Sequence, residues 1–388
     1  MSWPIVRLGD VAQINPRLPK NIDDSQTVSF VAMASAGEDG MLLNEEPRIL
    51  AETKKGFTYF ENGDVLLAKI TPCFENGKCL RPGQISNQVG FGSTEFHVLR
   101  ADEKLLDPDY LFYMIWSKQF RFLGEKSMSG AAGQKRVSTD FLTRFEIPLP
   151  PLEEQKRIAT ILDKADAIRR KRQQAIQLAD EFLRAVFLDM FGPRVCKDSW
   201  PLVTFEVVTR VDAPMVDPRD DQYLDMLHIG PDRIEKHTGR LLPALTAREE
   251  SLISKKFLFD DSYVLYSKIR PYLRKVALPD FVGLCSADMY PIRPNNGAMT
   301  REYLWQLLLS DEFTQYTESL PARANIPKLN RFELGSFSFK LPPIDLQKKF
   351  SEIFNCYSDV LKANESGLDS SNEMFASLSQ KAFSGNLR

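Results

Sequence analysis

Two short stretches of the chain concentrate side chains that donate hydrogen bonds. Both contain residues typical of turns, and the residues of interest are Gly130, Gly133, Gln134, Lys135 and Arg136 in the first and Arg323, Asn325 and Lys328 in the second. Glutamine, asparagine, arginine and lysine are the side chains that hydrogen-bond the base edges of DNA. Glycine lets a backbone approach a phosphate closely, because it has no side chain. The pattern therefore indicates two loops that could contact nucleic acid.

A basic residue also recurs ahead of a proline in two strand-like runs. Residues 65–72 (VLLAKITP) are answered by residues 264–271 (VLYSKIRP). Because an apolar run closed by proline is typical of a strand that ends in a turn, Lys69, Lys268 and Arg270 would stand where they could contact phosphates. Two alternatives stay open: either lysine could be a solvated residue at a strand edge, and residues 130–136 could be an ordinary flexible loop.

The sequence lacks the common catalytic motifs. It contains no Gly-x-x-x-x-Gly-Lys-Ser/Thr phosphate loop, no His-Glu-x-x-His and no Gly-x-Ser-x-Gly. Residues 15–18 (NPRL) are only superficially like the Asn-Pro-Pro-aromatic motif of adenine methyltransferases, since the second proline and the aromatic residue are missing. Five scattered cysteines and three histidines indicate neither a disulfide framework nor a zinc site. We therefore predict a non-enzymatic chain without a metal.

Composition limits the class of protein further. The 388 residues suffice for two or three domains, and 43% of them are hydrophobic, so each domain can have a core. Fifty basic and 52 acidic residues give a net charge of -2, so nucleic-acid binding must rest on local patches. No apolar run approaches the roughly 18 residues that span a bilayer, and the first residues lack the apolar stretch of a signal peptide. We expect a cytoplasmic protein.

The second half of the chain repeats the first at a nearly fixed offset. Besides the two strand-like runs, residues 149–151 (LPP) with Gln155-Lys156 return as residues 341–343 (LPP) with Gln347-Lys348. Each half consists of a β-rich segment with many turn signals followed by a helical segment without internal proline. We expect an α+β fold with two similar domains at residues 1–150 and 194–342, and two long helices at residues 151–193 and 343–388.

The two helical segments carry apolar stripes of the kind that pair in a coiled coil. The predicted seam positions are Ile158, Ile161, Ala165, Ile168, Ala175, Ala179, Phe182 and Val186 in the first helix and Phe350, Ile353, Tyr357 and Val360 in the second. A helix of this length rises roughly 60 Å. If the helices pack antiparallel, they separate two similar heads with approximate two-fold symmetry, and such heads could read the two halves of a split DNA site.

Residues 149–158 (LPPLEEQKRI), following residues 133–136 (GQKR), and the closing residues 381–385 (KAFSG) resemble the specificity subunit of type I restriction-modification systems. The resemblance covers nearly the whole chain. It implies two target-recognition domains, each reading half of a bipartite, asymmetric double-stranded DNA site, with the helices setting the spacer. It also implies two methyltransferase subunits docked on the helices and restriction subunits that join the complex. The second copy departs from the motif, since Leu346 stands where Glu154 stands in the first.

The resemblance implies no cofactor on this chain, with S-adenosylmethionine and ATP on the partner subunits. Two other classes of function stay open from the residues alone. A protein-binding adaptor with a coiled coil and duplicated heads would share the same organisation. A stand-alone DNA methyltransferase is the enzymatic alternative.

Overall fold

The computed structural model describes residues 3–131, 133–195, 197–295, 297–321 and 326–387. The chain divides into two compact units, the first comprising Met1–Arg172 with Gly367–Arg388 and the second Gln173–Ser366. Both long helices contribute to both units.

The first half of the chain is a mixture of short strands and helices. Its strands are β1 (Ile5–Arg7), β2 (Ala12–Ile14), β3 (Thr27–Val31), β4 (Glu46–Ile49), β5 (Thr58–Glu61), β6 (Val65–Ala68), β7 (Cys79–Leu80), β8 (Val89–Gly92), β9 (Phe96–Ala101) and β10 (Glu146–Pro148). Its helices are α1 (Leu8–Val11), α2 (Leu50–Thr53), α3 (Pro108–Trp116), α4 (Lys118–Ser127), α5 (Thr139–Arg144) and the long α6 (Leu152–Phe191).

The second half repeats this succession. Its strands are β11 (Leu202–Thr204), β12 (Thr209–Arg210), β13 (Met215–Val216), β14 (His228–Ile229), β15 (Lys256–Phe259), β16 (Val264–Ser267), β17 (Val276–Ala277), β18 (Gly283–Cys285), β19 (Met289–Pro294) and β20 (Ser338–Lys340). Its helices are α7 (Phe205–Val208), α8 (Arg301–Leu309), α9 (Asp311–Ser319), α10 (Arg331–Gly335) and the long α11 (Ile344–Phe383).

The sheet topology establishes that the two units have the same fold. One four-stranded sheet has the order β2-β9-β6-β7 in the first unit and β12-β19-β16-β17 in the second, and a two-stranded pair joins β1 to β10 and β11 to β20. The other four-stranded sheet contains one parallel pair in each unit, β3 with β8 and β14 with β18. Its edges differ, because β4 pairs with β3 in the first unit whereas β13 pairs with β15 in the second. The predicted duplication and the α+β class are confirmed.

The repeated helices begin at side-chain caps. The Asp107 side chain accepts a hydrogen bond from the Tyr110 backbone at 2.9 Å at the start of α3, and the Thr300 hydroxyl accepts one from the Tyr303 backbone at 3.3 Å at the start of α8. Such caps satisfy backbone N–H groups that the first turn of a helix leaves without partners. α3 and α8 are almost wholly buried and form the centre of each unit's apolar core.

A buried glutamine at the start of each long helix explains the repeated Gln-Lys motif. The Gln155 side chain accepts a hydrogen bond from the Asp107 backbone at 2.8 Å and donates to the Leu105 and Pro150 carbonyls, both at 2.8 Å. Gln347 makes the matching bonds to the Thr300, Ala298 and Pro342 backbones in the second unit. Each amide therefore binds a long helix to the loop that begins the central helix of its unit.

Within each unit the two long helices pack antiparallel. In the first unit the Arg169 side chain donates to the Asn372 side chain at 2.8 Å and Arg157 donates to the Leu387 carbonyl at 2.9 Å. In the second unit Phe187 and Phe350 lie with ring centroids 5.5 Å apart. Residue numbers thus rise along one helix as they fall along the other.

The prediction of the helix seam is wrong in part. Ile168, Phe182 and Val360 are 43%, 58% and 52% exposed and lie outside the packed face. In α6 that face instead carries Leu162, Ile176, Leu183 and Phe187, which are buried. Polar residues occupy intervening positions of this face: Asp180 accepts a hydrogen bond from the Tyr357 hydroxyl at 2.7 Å, and Arg169 lies 4.8 Å from the Phe375 ring. Because these polar residues interrupt the apolar pattern of α6, the sequence assigned the packed face in part to the wrong helix positions.

The other predicted seam residues lie closer to the packed face. Ile158, Ala165, Phe350 and Tyr357 are buried. The remaining ones are half-buried, namely Ile161, Ala175, Ala179, Val186 and Ile353.

We expect Gln155→Leu to lower the free energy of unfolding by roughly 3 kcal/mol, because buried backbone groups that lose their partner cost about 1 to 3 kcal/mol each. Gln347→Leu should act similarly through the second unit. Urea unfolding followed by tryptophan fluorescence measures both effects. Glu153→Gln is the control, since the Glu153 side chain is 90% exposed in the same turn, and it should change stability by less than about 0.5 kcal/mol. Unfolding midpoints equal to that of the unaltered chain would contradict the role of these glutamines.

Candidate nucleic-acid interface

In the first unit, Lys69 and the predicted donor-rich loop are neighbours. Lys69 follows β6, and its backbone carbonyl accepts a hydrogen bond from the Val137 N–H at 2.9 Å. The Thr71 N–H donates to the Lys135 carbonyl at 3.0 Å. The segment after β6 and the returning arm of the loop therefore run side by side.

The loop itself is closed by a pair of backbone hydrogen bonds. Ser129 and Arg136 exchange hydrogen bonds through both of their N–H groups, at 3.1 and 2.9 Å, and this pairing closes the base of the loop. Gly133 has a φ of 79°, and a side-chain carbon placed there would meet nothing within 4 Å. Gly130 has a φ of 127° and stands against the Gln134 backbone, where a side chain would not fit. Gln134 and Lys135 are exposed, so their side chains are accessible to a ligand.

Arg136 is held by a carboxylate that the sequence analysis did not single out. Its guanidinium donates two hydrogen bonds to the Glu95 side chain, from Nε at 2.9 Å and from Nη2 at 2.8 Å. These hydrogen bonds hold the pKa of the Glu95 carboxyl below its ordinary value, and the charges of Arg136 and Lys69 act in the same direction. Glu95 is therefore ionised at neutral pH, and its charge attracts two of the cations predicted to contact nucleic acid.

A buried histidine in β9 binds the backbone directly after the loop. The His97 Nε2–H donates to the Val137 carbonyl at 2.9 Å, and the Asn15 Nδ2 lies 3.2 Å from Nδ1. His97 is only 4% exposed, and burial lowers the pKa of its imidazole, which favours the neutral ring that this pattern requires. The His97 side chain on β9 therefore binds the returning arm of the loop, at Val137, to the sheet.

The second unit builds the same arrangement. The Leu329 N–H donates to the Lys268 carbonyl at 2.9 Å, and the Arg270 N–H donates to the Pro327 carbonyl at 2.8 Å. Arg270 is exposed and has a φ of 51°, in the left-handed region that favours glycine or asparagine. Lys328 is exposed beside it. The structure thus brings Lys268, Arg270 and Lys328 together, whereas Arg323 and Asn325 lie outside the described residues.

The second unit also has an acidic residue close to its basic residues and a buried hydrogen-bond donor that binds the backbone of the loop. The Asp288 carboxylate lies 3.7 Å from the Lys268 Nζ and 3.8 Å from the Lys328 Nζ. Lys268 also donates to the Ala287 carbonyl at 2.5 Å. The Tyr290 hydroxyl donates to the Leu329 carbonyl at 3.1 Å, as His97 does to Val137 in the first unit.

The sequence analysis missed Glu95, Asp288, His97 and Tyr290. A signal was present, because both acids come just before a strand at matching places of the repeat. The residues that indicated the two loops are hydrogen-bond donors, however, and a carboxylate that binds a loop cation is an acceptor.

The part of the chain that the structure describes contains no helix with an apolar stretch of membrane-spanning length. Over the same residues, no group of three or more His, Cys, Asp or Glu side chains could hold a metal ion.

Comparison with known proteins points to one family. Residues 2–178 match the family model of the type I restriction modification DNA specificity domain. The EcoEI specificity subunit of Escherichia coli is 42% identical over 165 residues, which are 42% of this chain and 27% of the relative. The EcoDI specificity subunit of the same species is 26% identical over 285 residues, 63% of each chain. The chain thus spans about a quarter of the first relative and less than two thirds of the second.

Solved structures share the fold over almost the full length. The S subunit of a type I restriction-modification system from M. genitalium is 14% identical, with a TM-score of 0.59 over 98% of this chain and 96% of that one. A chain from a structural study of the assembly and conformational transition of the type I R-M system is 18% identical, with a TM-score of 0.53 over 100% of this chain and 98% of that one. Residues 2–178 thus match a type I restriction modification DNA specificity domain, and the chain as a whole is similar in fold to solved structures of type I restriction-modification systems.

Proposed function

We propose that this chain is the DNA specificity subunit of a type I restriction-modification complex and that each unit reads one half of a bipartite site. One observation carries the proposal. In each unit the same backbone pairing places an exposed basic loop beside the basic residue that follows the central strand, Lys69 after β6 and Lys268 after β16. Side chains that reach from such a rigid base suit contacts with phosphates and base edges. We assign the two target-recognition domains to residues 1–150 and 194–342.

The two loops differ in side chains, and so the two half-sites should differ. The first presents Gln134 and Lys135 on a glycine-containing hairpin, whereas the second presents Arg270 and Lys328. The edges of the four-stranded sheet that contains the parallel pair also differ between the units. Different donors and different flanking surfaces favour different bases, so the complete target should be asymmetric.

The long helices offer surface for the methyltransferase subunits. Six large apolar side chains on these helices are exposed, namely Ile168, Leu178, Phe182, Leu188, Val360 and Met374. Exposed apolar surface on a helix is typical of a binding site for another protein. In this proposal two methyltransferase subunits and, through them, the restriction subunits join the complex. They supply S-adenosylmethionine and ATP binding, while this chain contributes recognition without catalysis.

We expect substitutions in the two loops to act on separate half-sites. Gln134→Ala or Lys135→Ala should weaken modification through the first half-site, and Lys328→Ala or Asn325→Ala through the second. A lost bidentate base contact costs roughly 1 to 3 kcal/mol for the affected sequence, whereas a lost phosphate contact weakens all sequences alike. Methylome sequencing of cells that carry each variant with its methyltransferase measures the effect at each half-site.

Lys118→Ala is a suitable control, because Lys118 is exposed at the start of α4, outside the loop. It should leave the methylation pattern unchanged. If all four loop variants behave like this control, the loops do not belong to the recognition surface.

We expect the long helices to set the spacer between the half-sites. Inserting seven residues into each helix, near Arg172 and near Asn364, should keep the packed faces in phase and lengthen each helix by roughly 10 Å. With about 3.4 Å per base pair, the spacer of the methylated motif should grow by about three base pairs while both half-sites persist. Modification should also become less efficient, because three base pairs rotate one half-site by roughly a third of a turn.

Methylome sequencing of the insertion variant provides the measurement. Inserting the seven residues into only one helix is the matched control, since it should disrupt packing and abolish modification. Methylation at the original spacing with undiminished efficiency would contradict the role of the helices.

A further inference from the structure

An acidic side chain occupies the same position in both units, a glutamate in the first and an aspartate in the second, although the residues around it differ. The Lys69 N–H donates to the Glu95 carbonyl at 2.9 Å, and the Lys268 N–H donates to the Asp288 carbonyl at 3.1 Å. These matching backbone bonds show that Glu95 and Asp288 occupy equivalent positions, immediately before β9 and β19. Both side chains face the basic residues of the loop: Glu95 binds Arg136, and Asp288 lies within 4 Å of Lys268 and Lys328.

The geometry of the first pair imitates a phosphate contact. Arg136 presents two parallel N–H groups to the two Glu95 oxygens, at 2.9 and 2.8 Å, which is the planar bidentate arrangement that guanidinium also uses with a phosphate. The Arg136 side chain is 42% exposed, so DNA can reach it. A phosphate that approached Arg136 would therefore have to displace or share a carboxylate that already binds the same donors.

The acids are not needed to place the loops. Backbone hydrogen bonds from Thr71 and Val137 hold the first loop, and the His97 side chain binds its Val137 carbonyl. The second loop has the corresponding bonds from Arg270 and Leu329, with Tyr290 in place of His97. Since other groups fix the backbone in both units, the recurrent carboxylate acts mainly on the cations.

We propose that Glu95 and Asp288 are specificity-determining residues, which compete with DNA phosphates for the basic side chains of the recognition loops. The proposal rests on the proposed function of the chain. Non-specific DNA offers mainly phosphates, so it loses one contact in each head to the internal carboxylate. A correct half-site also offers base contacts, which bind the loop while the cation exchanges its carboxylate for a phosphate. The acids therefore weaken binding to wrong sequences more than binding to the target.

The first test measures non-specific affinity on the full chain. Glu95→Gln keeps the shape of the side chain and removes its charge. Its affinity for a 30-base-pair duplex of arbitrary sequence, followed by fluorescence anisotropy, should rise up to about eightfold at 0.1 M salt. The slope of log affinity against log salt should steepen by about 0.9, the value for one additional phosphate contact. Asp288→Asn should behave likewise.

Two controls separate this effect from a general change of charge. Glu103→Gln removes a charge from an exposed turn before α3 and should raise the affinity much less than Glu95→Gln. Adding Arg136→Gln to Glu95→Gln should abolish the gain, because the released cation is then absent. Unchanged or weaker non-specific binding by both single variants would overturn the proposal, and so would a gain that persists without Arg136.

The second test separates this inference from the proposed function. In cells with the methyltransferase, Glu95→Gln should relax the methylated motif in the first half-site only, and Asp288→Asn in the second half-site only. Each variant thus serves as the control for the other. If the unaltered chain supports no bipartite motif, the proposed function fails. If it supports one and both variants leave the motif unchanged, the role of the acids is wrong while the proposed function stands.

Discussion

The exposed basic loop of each unit depends on a short stretch of backbone pairing. In the first unit the N–H of Val137 and the carbonyl of Lys69 join the loop to the segment after β6, and the second unit joins Leu329 to Lys268 in the same way. Backbone bonds of this kind do not depend on which side chains the loop carries. The side chains that meet a ligand can therefore differ between the units while the base that positions them stays the same. In the proposed function, this separation of the scaffold from the exposed side chains allows one fold to serve two half-sites.

The same principle governs how each unit holds the long helices. Gln155 and Gln347 make equivalent backbone contacts, but the ion pairs of the long helices differ between the units. In the first unit the Asp163 carboxylate on α6 pairs with Arg81 and accepts a hydrogen bond from the Tyr113 hydroxyl at 2.6 Å. In the second unit Arg240 lies 3.0 Å from Asp180 of α6 and 3.8 Å from Glu365 of α11. Partly buried ion pairs with several partners favour one packing geometry, since leaving a charge unpaired is costly.

Repetition made much of this fold predictable from the sequence. Local features recur in both halves where the same backbone contacts form twice, as with the buried glutamine at the start of each long helix. The loops were predictable for a similar reason, since donors and glycines such as Gln134 and Gly133 stand out in a linear sequence. The acidic residues and buried donors that contact the loops were not predictable in this way. Glu95, just before β9, and His97, within β9, lie some forty residues before Arg136 and Val137 in the sequence, and their contacts arise only on folding. The seam of the long helices was misplaced because Arg169 and Asp180, which occupy packed positions, look like surface residues in the sequence.

The central claim is that two heads of one fold read two different halves of one DNA site. Methylome sequencing of cells that express the unaltered chain with its methyltransferase subunit, compared with cells that lack only this chain, tests it most directly. We expect methylation that depends on the chain and falls on an asymmetric motif, in which two different short half-sites flank a non-specific spacer of fixed length. Methylation at a continuous or palindromic motif, or at the same sites without this chain, would contradict it.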